Sequence, residues 1–138
     1  MKLIVCLDER GGMEFNKRRQ SRDSRLIEDM LSLVLASHSS LYISEYSRPL
    51  FPEDADVVVV SDLSSPLNEP SEDYCFMEKK LPSLDSFQLS EVVIYNWNRH
   101  YPSDVRFDLD MSGFALCETK EFEGSSHEKI TREVYKKK

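Results

Sequence analysis

The sequence predicts an α/β sandwich with a mixed, mostly parallel sheet closed by a C-terminal antiparallel hairpin. "KLIVCL" near the start and "EVVIYNW" near the end are continuous apolar runs with β-branched members, as in strands covered on both faces. Between Ser24 and Ala36 the apolar residues Leu26, Ile27, Met30, Leu31, Leu33 and Val34 gather on one side of an α-helix. The tail holds "GFALCETKEF" and "KITREVYKK", segments of period-two character joined by "EGSSHE".

Lys2 to Leu7 reads as a central strand, ended by the acidic and glycine residues of "DERGG". The stretch "GGMEFNKRRQSRD" then leads to the helix, with Asp23 or Ser24 as its N-cap. "LYISEY", Leu41 to Tyr46, is a short strand, and in "SRPLF" Ser47 starts one helical turn with Pro49 near its N-terminus. "DVVVVSD", Asp56 to Asp62, is the clearest β segment, because consecutive valines prefer the pleated conformation; it and the preceding strand are expected to be buried. Residues 63–73, "LSSPLNEPSED", carry prolines, serines and acids and are expected to form a mobile loop. "YCFME" is a brief strand, "LPSLDSF" a short helix or turn, and Glu91 to Trp97 a further strong strand. No repeat or boundary interrupts this order, so residues 1–138 are expected to form a single domain of modest helix content.

At 138 residues the chain is long enough to bury a core without metal or disulfide staples. Lys and Arg number 18 against 25 Asp and Glu, a formal charge of -7, which disfavours a general grip on nucleic acid or an anionic membrane and makes any polyanion contact local. Cys6, Cys75 and Cys117 are an odd number, each within an apolar run, and are expected to pack in the core of a protein from a reducing compartment. "LIVCL" stops at Asp8, too short for a signal peptide's apolar region, and no stretch approaches the length that spans a bilayer. The expectation is a cytoplasmic protein without membrane contact, its oligomeric state left open. No Cys or His spacing suits zinc, and Asp104, Asp108 and Asp110 lack the glycine and terminal glutamate of a calcium loop, so no metal is expected.

Two parts of the chain resemble dihydrofolate reductase. "KLIVCLDERGGMEFN" is similar to that family's opening strand, acidic turn and "GM" loop before a helix. "VVIYNWNRHYPSDVRFDLDMSGFALCETKEF" with "SSHEKITREVY" resembles its close in order and spacing. The resemblance implies a dihydrofolate-reductase-like sandwich. It also implies a pocket carboxylate near the start of the first helix, where Ser24 and Arg25 stand at the matching place and a slip of one or two residues brings in Asp23. The family's nicotinamide cofactor lies against two glycine-containing turns; the glycines here are Gly11, Gly12, Gly113 and Gly124, and neither "SEYSRPL" nor "YCFMEKK" contains one. The segment between "VVVV" and "YCFME" is also shorter than the reductases carry. What the resemblance implies is a reduced relative of bacterial type, not a reductase and without a cofactor. NADPH enters only under the alternative of a divergent reductase whose catalytic acid is Asp23. A weaker resemblance, through "NKRRQSRD" and "SSHEKIT", is to short bacterial proteins named as ribonuclease Z, whose zinc chemistry needs a histidine cluster that His38, His100 and His127 are not spaced to supply.

Arg22 and Arg25 flank the helix start, where the positive end of the helix dipole disfavours a cation by about 0.3–1 kcal/mol. With Lys17, Arg18 and Arg19 nearby, such a place suits a phosphate or other anion. Trp97, Arg99, His100 and Tyr101 follow a strand's end, where aromatic and guanidinium groups can stack on a base. Against these stand plainer expectations: cations paired with the abundant acids, Trp97 and Tyr101 packed under a loop, and Asp104 and Asp108 in turns. His127 and Cys117 show no signature of nucleophilic catalysis, and the pairs Glu28, Asp29 and Glu53, Asp54 are expected on an exposed face. The function expected is binding of a small anionic or nucleotide-like ligand near the loop before the first helix, with RNA binding or processing as the alternative partner reading.

Overall fold

A computed structural model describes residues 1–82 and 84–138. The chain runs β1 (Lys2–Leu7), β2 (Gly12–Phe15), β3 (Arg18–Arg19), α1 (Ser24–Ala36), β4 (Leu41–Ser44), β5 (Val58–Val60), α2 (Ser64–Leu67), β6 (Tyr74–Phe76), β7 (Glu91–Asn96), β8 (Val105–Arg106), β9 (Phe114–Phe122) and β10 (Ile130–Lys137). Single 3-10 turns lie at Arg48–Leu50, Leu84–Ser86 and Met111–Gly113. Ser83, within the expected "LPSLDSF" turn, lies outside the described residues.

Seven strands form one sheet in the order β5-β4-β6-β1-β7-β10-β9. β1 pairs in parallel with β6 and β7, β4 in parallel with β5 and β6, and β10 antiparallel with β7 and β9. The mixed, mostly parallel sheet with a C-terminal hairpin is the architecture the apolar runs predict. β1 is buried on both faces because its side chains alternate between two cores. Ile4 joins Leu26, Ile27, Met30 and Val34 of α1, while Leu3, Val5 and Leu7 meet Met13, Leu63, Leu67 and Met77. One long helix thus covers one face, and β2, the short helix α2 and loops cover the other.

Several expectations need correction. β5 is an edge strand with Val58 and Val59 exposed at 41% and 42%; valine sets the pleated conformation, but burial depends on neighbours, and β5 has only β4. Cys75 is buried and the half-buried Cys6 packs against the core, as expected, but Cys117 is exposed, because β9 is the opposite edge. Burial pushes the Cys75 thiol up to about 12. Asp29 is not on an exposed face: its carboxylate accepts from Tyr95 Oη at 2.7 Å, Arg132 Nη1 at 2.7 Å and Lys120 Nζ at 2.9 Å. Within residues 63–73 the first segment makes the turn α2, and Leu63 and Leu67 enter the core. Among the described residues no helix is long and apolar enough to cross a membrane.

The basic stretch is itself built. β2 and β3 form a hairpin across Asn16 (φ 54°) and Lys17 (φ 63°), the two left-handed residues of a tight turn. β8 adds on the other side of β2, making a second, three-stranded sheet in the order β3-β2-β8.

Candidate functional site

At the carboxyl ends of β1, β6 and β7, where open α/β sheets place ligands, the chain following each strand converges on the start of α1. Asp8, just past β1, ties the two stretches singled out from sequence. Its Oδ1 accepts from the backbone N–H of Arg10 and Gly12, both at 2.8 Å. Its Oδ2 accepts from Gln20 Nε2 at 3.0 Å and the Tyr101 N–H at 3.3 Å. The Glu9 N–H donates to the Arg99 carbonyl at 2.9 Å, and the Asn16 N–H to Asp104 Oδ2 at 3.0 Å. The hairpin and the "NWNRHY" segment therefore lie side by side.

Asp23 is the N-cap of α1, as expected, but it does more than cap. Oδ1 accepts from the backbone N–H of Arg25 (3.0 Å), Leu26 (3.3 Å) and Ser125 (2.9 Å) and from Ser125 Oγ (3.1 Å). Oδ2 accepts from the Ser126 N–H (2.9 Å), Ser126 Oγ (3.2 Å) and His127 Nδ1 (3.0 Å). The "GSSH" turn between β9 and β10 is thus a cradle of donors around a buried carboxylate. Gly124 permits the approach, since a Cβ there would collide with the Asp23 carboxylate and with Ile130 Cδ1. Burial alone would raise the Asp23 pKa; the Ser125 and Ser126 N–H groups, His127 and the Leu26 N–H outweigh it and hold the carboxyl far below its usual range. The anion-binding character expected of this helix N-terminus is accordingly met by the protein's own side chain. The Ser24 N–H is met by Ser125 Oγ at 2.9 Å.

His127 is buried at 4% exposure and carries the network onward. Because Asp23 only accepts, Nδ1 donates to it, which in the neutral imidazole leaves Nε2 as an acceptor. Tyr101 Oη lies 2.8 Å and Ser21 Oγ 3.1 Å from Nε2, with 3.4 Å between the two hydroxyls. The Trp97 ring stacks on the imidazole, centroids 4.6 Å apart and planes at 24°. Trp97 and Tyr101 do pack beneath the loop, against His127.

The other predicted residues divide. Arg19 is taken: Nε and Nη2 bond Glu78 at 2.8 and 3.1 Å, Nη2 also reaches the Tyr46 carbonyl at 2.9 Å, and its guanidinium lies over the Tyr46 ring at 4.3 Å. Ser47 Oγ donates to the same Glu78 at 2.7 Å. Among the described residues the Arg25 side chain reaches only the exposed Glu123, at 3.9 Å, and that residue's carbonyl, at 3.4 Å. The side chains of Lys17, Arg18, Arg22, Arg99 and His100 make no hydrogen bond or ion pair among the described residues, and all five residues are exposed.

Two small cavities of about 10 Å³ each, lined in common by Cys6, Ser21, Glu78 and Trp97, sit at the bottom of this region. One of them shares Arg22, Asp23, Ile27 and Leu50 with an open cleft of about 250 Å³ that is completed by Ser24, Ser125 and Ser126. Each small cavity has room for about one water, and Gln20 Oε1, beside one of them, is a buried acceptor without a protein partner.

Sequence reading missed Ser21, Glu78 and the role of His127. No local motif could reveal a contact between residues 104 positions apart; the one signal available was the glycine and paired serines before a histidine, a turn rich in donors. Among the described residues no group of three or more His, Cys, Asp or Glu is placed to hold a metal, and the resemblance to ribonuclease Z finds no support here.

Strand order, the single long helix after β1 and the antiparallel terminal pair define a dihydrofolate-reductase-like fold. Among solved structures the chain is similar to a dihydrofolate reductase from Enterococcus faecalis complexed with NADP(H) and RAB-propyl, with a TM-score of 0.63 and 12% identity over 99% of this chain and 95% of that one. At that identity the likeness is one of fold. No family model and no curated protein matches the sequence.

Proposed function

We propose that the protein binds a small anionic, nucleotide-like ligand in the crevice at the start of α1, and that it is not a folate reductase. The observation that carries this is the unpaired Arg22 at the rim of the 250 Å³ cleft, above the apolar side chains of Ile27 and Leu50. A guanidinium over an apolar floor suits a phosphate or carboxylate attached to a flat ring. The helix N–H groups do not contribute, being occupied by Asp23 and Ser125; Arg22 and the weakly held Arg25 take the anion instead.

The same geometry weighs against a reductase using Asp23. A carboxylate offers about four lone-pair directions, and the donors already on Asp23 exceed them. After β4 the chain turns through residues 45–47 into the 3-10 turn Arg48–Leu50, and Glu78 after β6 is committed to Arg19 and Ser47. Neither offers a glycine-lined seat for a dinucleotide. Calorimetric titration with nucleoside monophosphates, folates and NADPH tests the proposal. Binding of a monophosphate that is lost in Arg22→Ala, without NADPH binding, supports it; tight NADPH binding with turnover of dihydrofolate overturns it.

RNA is the second reading, favoured by the free cations Lys17 and Arg18 beside the exposed Phe15 on the small sheet. It predicts affinity that falls steeply with salt and weakens in Lys17→Ala/Arg18→Ala. Unchanged retention on RNA in that variant removes it.

A further inference from the structure

We propose that Ser21 is a nucleophilic hydroxyl, oriented by His127 and Asp23, which cleaves small carboxylic esters admitted through the Arg22 cleft. A reacting hydroxyl needs a base within hydrogen-bond reach and a third group that fixes the base. Ser21 Oγ lies 3.1 Å from His127 Nε2, and Asp23 Oδ2 lies 3.0 Å from Nδ1. Asp23 fixes the tautomer, leaving the Nε2 lone pair toward the two hydroxyls of Ser21 and Tyr101. The seven donors on Asp23 fix the carboxylate in turn, so the order Ser21, His127, Asp23 is held from the helix start and the β9–β10 turn together.

The surroundings fit the reaction. Ser21 lines both 10 Å³ cavities, the size of one carbonyl oxygen or water, and one of them shares the lining residues Arg22, Asp23, Ile27 and Leu50 with the larger cleft. The backbone N–H groups of Ser21 and Arg22 have no partner among the described residues, so neither is committed elsewhere in the fold. Trp97, stacked on the imidazole at 4.6 Å, offers its ring face to the imidazolium formed in the reaction. Tyr101 Oη competes with Ser21 for Nε2 at 2.8 Å and is a positioning residue that holds the ring at rest.

Ser21 Oγ adds to the ester carbonyl as its proton passes to His127 Nε2. Collapse of the tetrahedral adduct breaks the bond to the alcohol oxygen, which takes that proton and leaves. Water then attacks the acyl-serine by the same route, releasing the carboxylic acid and restoring Ser21. The cleft volume confines the substrate to less than the size of a typical drug-like ligand, with its anionic end on Arg22.

This inference rests on the crevice being the ligand site. The full chain is treated with a fluorophosphonate probe and with p-nitrophenyl acetate, with intact-mass measurement and peptide mapping as readouts. Expected are one adduct per chain, at Ser21, and a matching burst of p-nitrophenol. Both should vanish in Ser21→Ala, fall at least 100-fold in His127→Gln, and persist or quicken in Tyr101→Phe, where the competing hydroxyl is gone. Absence of an adduct on Ser21 in the folded protein, or equal labelling in Ser21→Ala, overturns the proposal. Ser21→Ala removes one hydroxyl and is checked for folding by circular dichroism. Calorimetry with a nucleoside monophosphate separates the two failures: binding without labelling sinks the hydrolytic step alone, and labelling without binding sinks the nucleotide reading alone.

Discussion

Helix α1 buries two carboxylates, Asp23 at its N-cap and Asp29 in its second turn, and they are held in different ways. Asp29 faces the sheet, where Arg132 and Lys120 neutralise it and the Tyr95 phenol donates a third bond. Asp23 faces the crevice, where its partners are uncharged backbone N–H groups, two serine hydroxyls and one imidazole. Burial works against ionisation of both, and in both the surrounding donors win, so each carboxyl is held below its usual range. A carboxylate matched by fixed cations is a brace; one held by neutral donors keeps its charge available to orient a ring. Under the proposed function, the difference separates brace from ligand crevice on one helix.

The largest effect is expected where the brace is cut. Asp29→Ala leaves Arg132, 9% exposed in its side chain, paired only with Glu118, and should cost about 3–5 kcal/mol by urea denaturation while leaving ligand affinity in the folded fraction unchanged. A change in affinity would mean that the two carboxylates are not separate. Next is Gly124→Ala, whose methyl group would meet the Asp23 carboxylate and Ile130; about 1–3 kcal/mol of stability should be lost. A neutral result would show that the β9–β10 turn can retreat and that the cradle is not tight.

Asp23→Asn is gentler on stability, since asparagine also caps helices, and about 1–2 kcal/mol is expected. Its amide must turn an N–H toward the Ser126 N–H or toward His127, so its main consequence should be loss of Ser21 reactivity. The smallest effect near neutrality comes from pH. Asp8, Asp23 and Asp29 all have lowered carboxyl pKa values. Their stabilisation is therefore complete above the unfolded carboxyl value of about 4 and is lost as pH falls through the lower folded values. Melting temperature should be flat from pH 8 to about pH 5 and decline below it, and Asp29→Ala should lose part of that decline.

The fold was legible wherever one segment carries the information. "KLIVCL" is apolar throughout because both faces of β1 are covered, and Leu26, Ile27, Met30 and Val34 mark the inner face of α1. Position in the sheet was not legible: "VVVV" reads as buried, yet β5 is an edge, because pairing order is decided between segments. The placement of the candidate residues was legible in half. The hairpin and the "NWNRHY" segment do lie together, held by Asp8, but Arg19 proved to be bound to Glu78 and Tyr101 to His127. Asp29 lies one residue from Met30, at the margin of the apolar stripe, where local pattern cannot tell a solvated acid from one met by Arg132 across the sheet.

The central claim, that the polar assembly around Asp23 surrounds a ligand crevice rather than bracing the fold, is tested most directly by nuclear magnetic resonance. Amide and indole resonances would be followed while a nucleoside monophosphate is added. Saturable shifts at Arg22, Ser24, Ser125, Ser126 and the Trp97 indole, with Lys120 and Arg132 unmoved, are predicted. Shifts confined to the small sheet, or none at millimolar ligand, would contradict the claim.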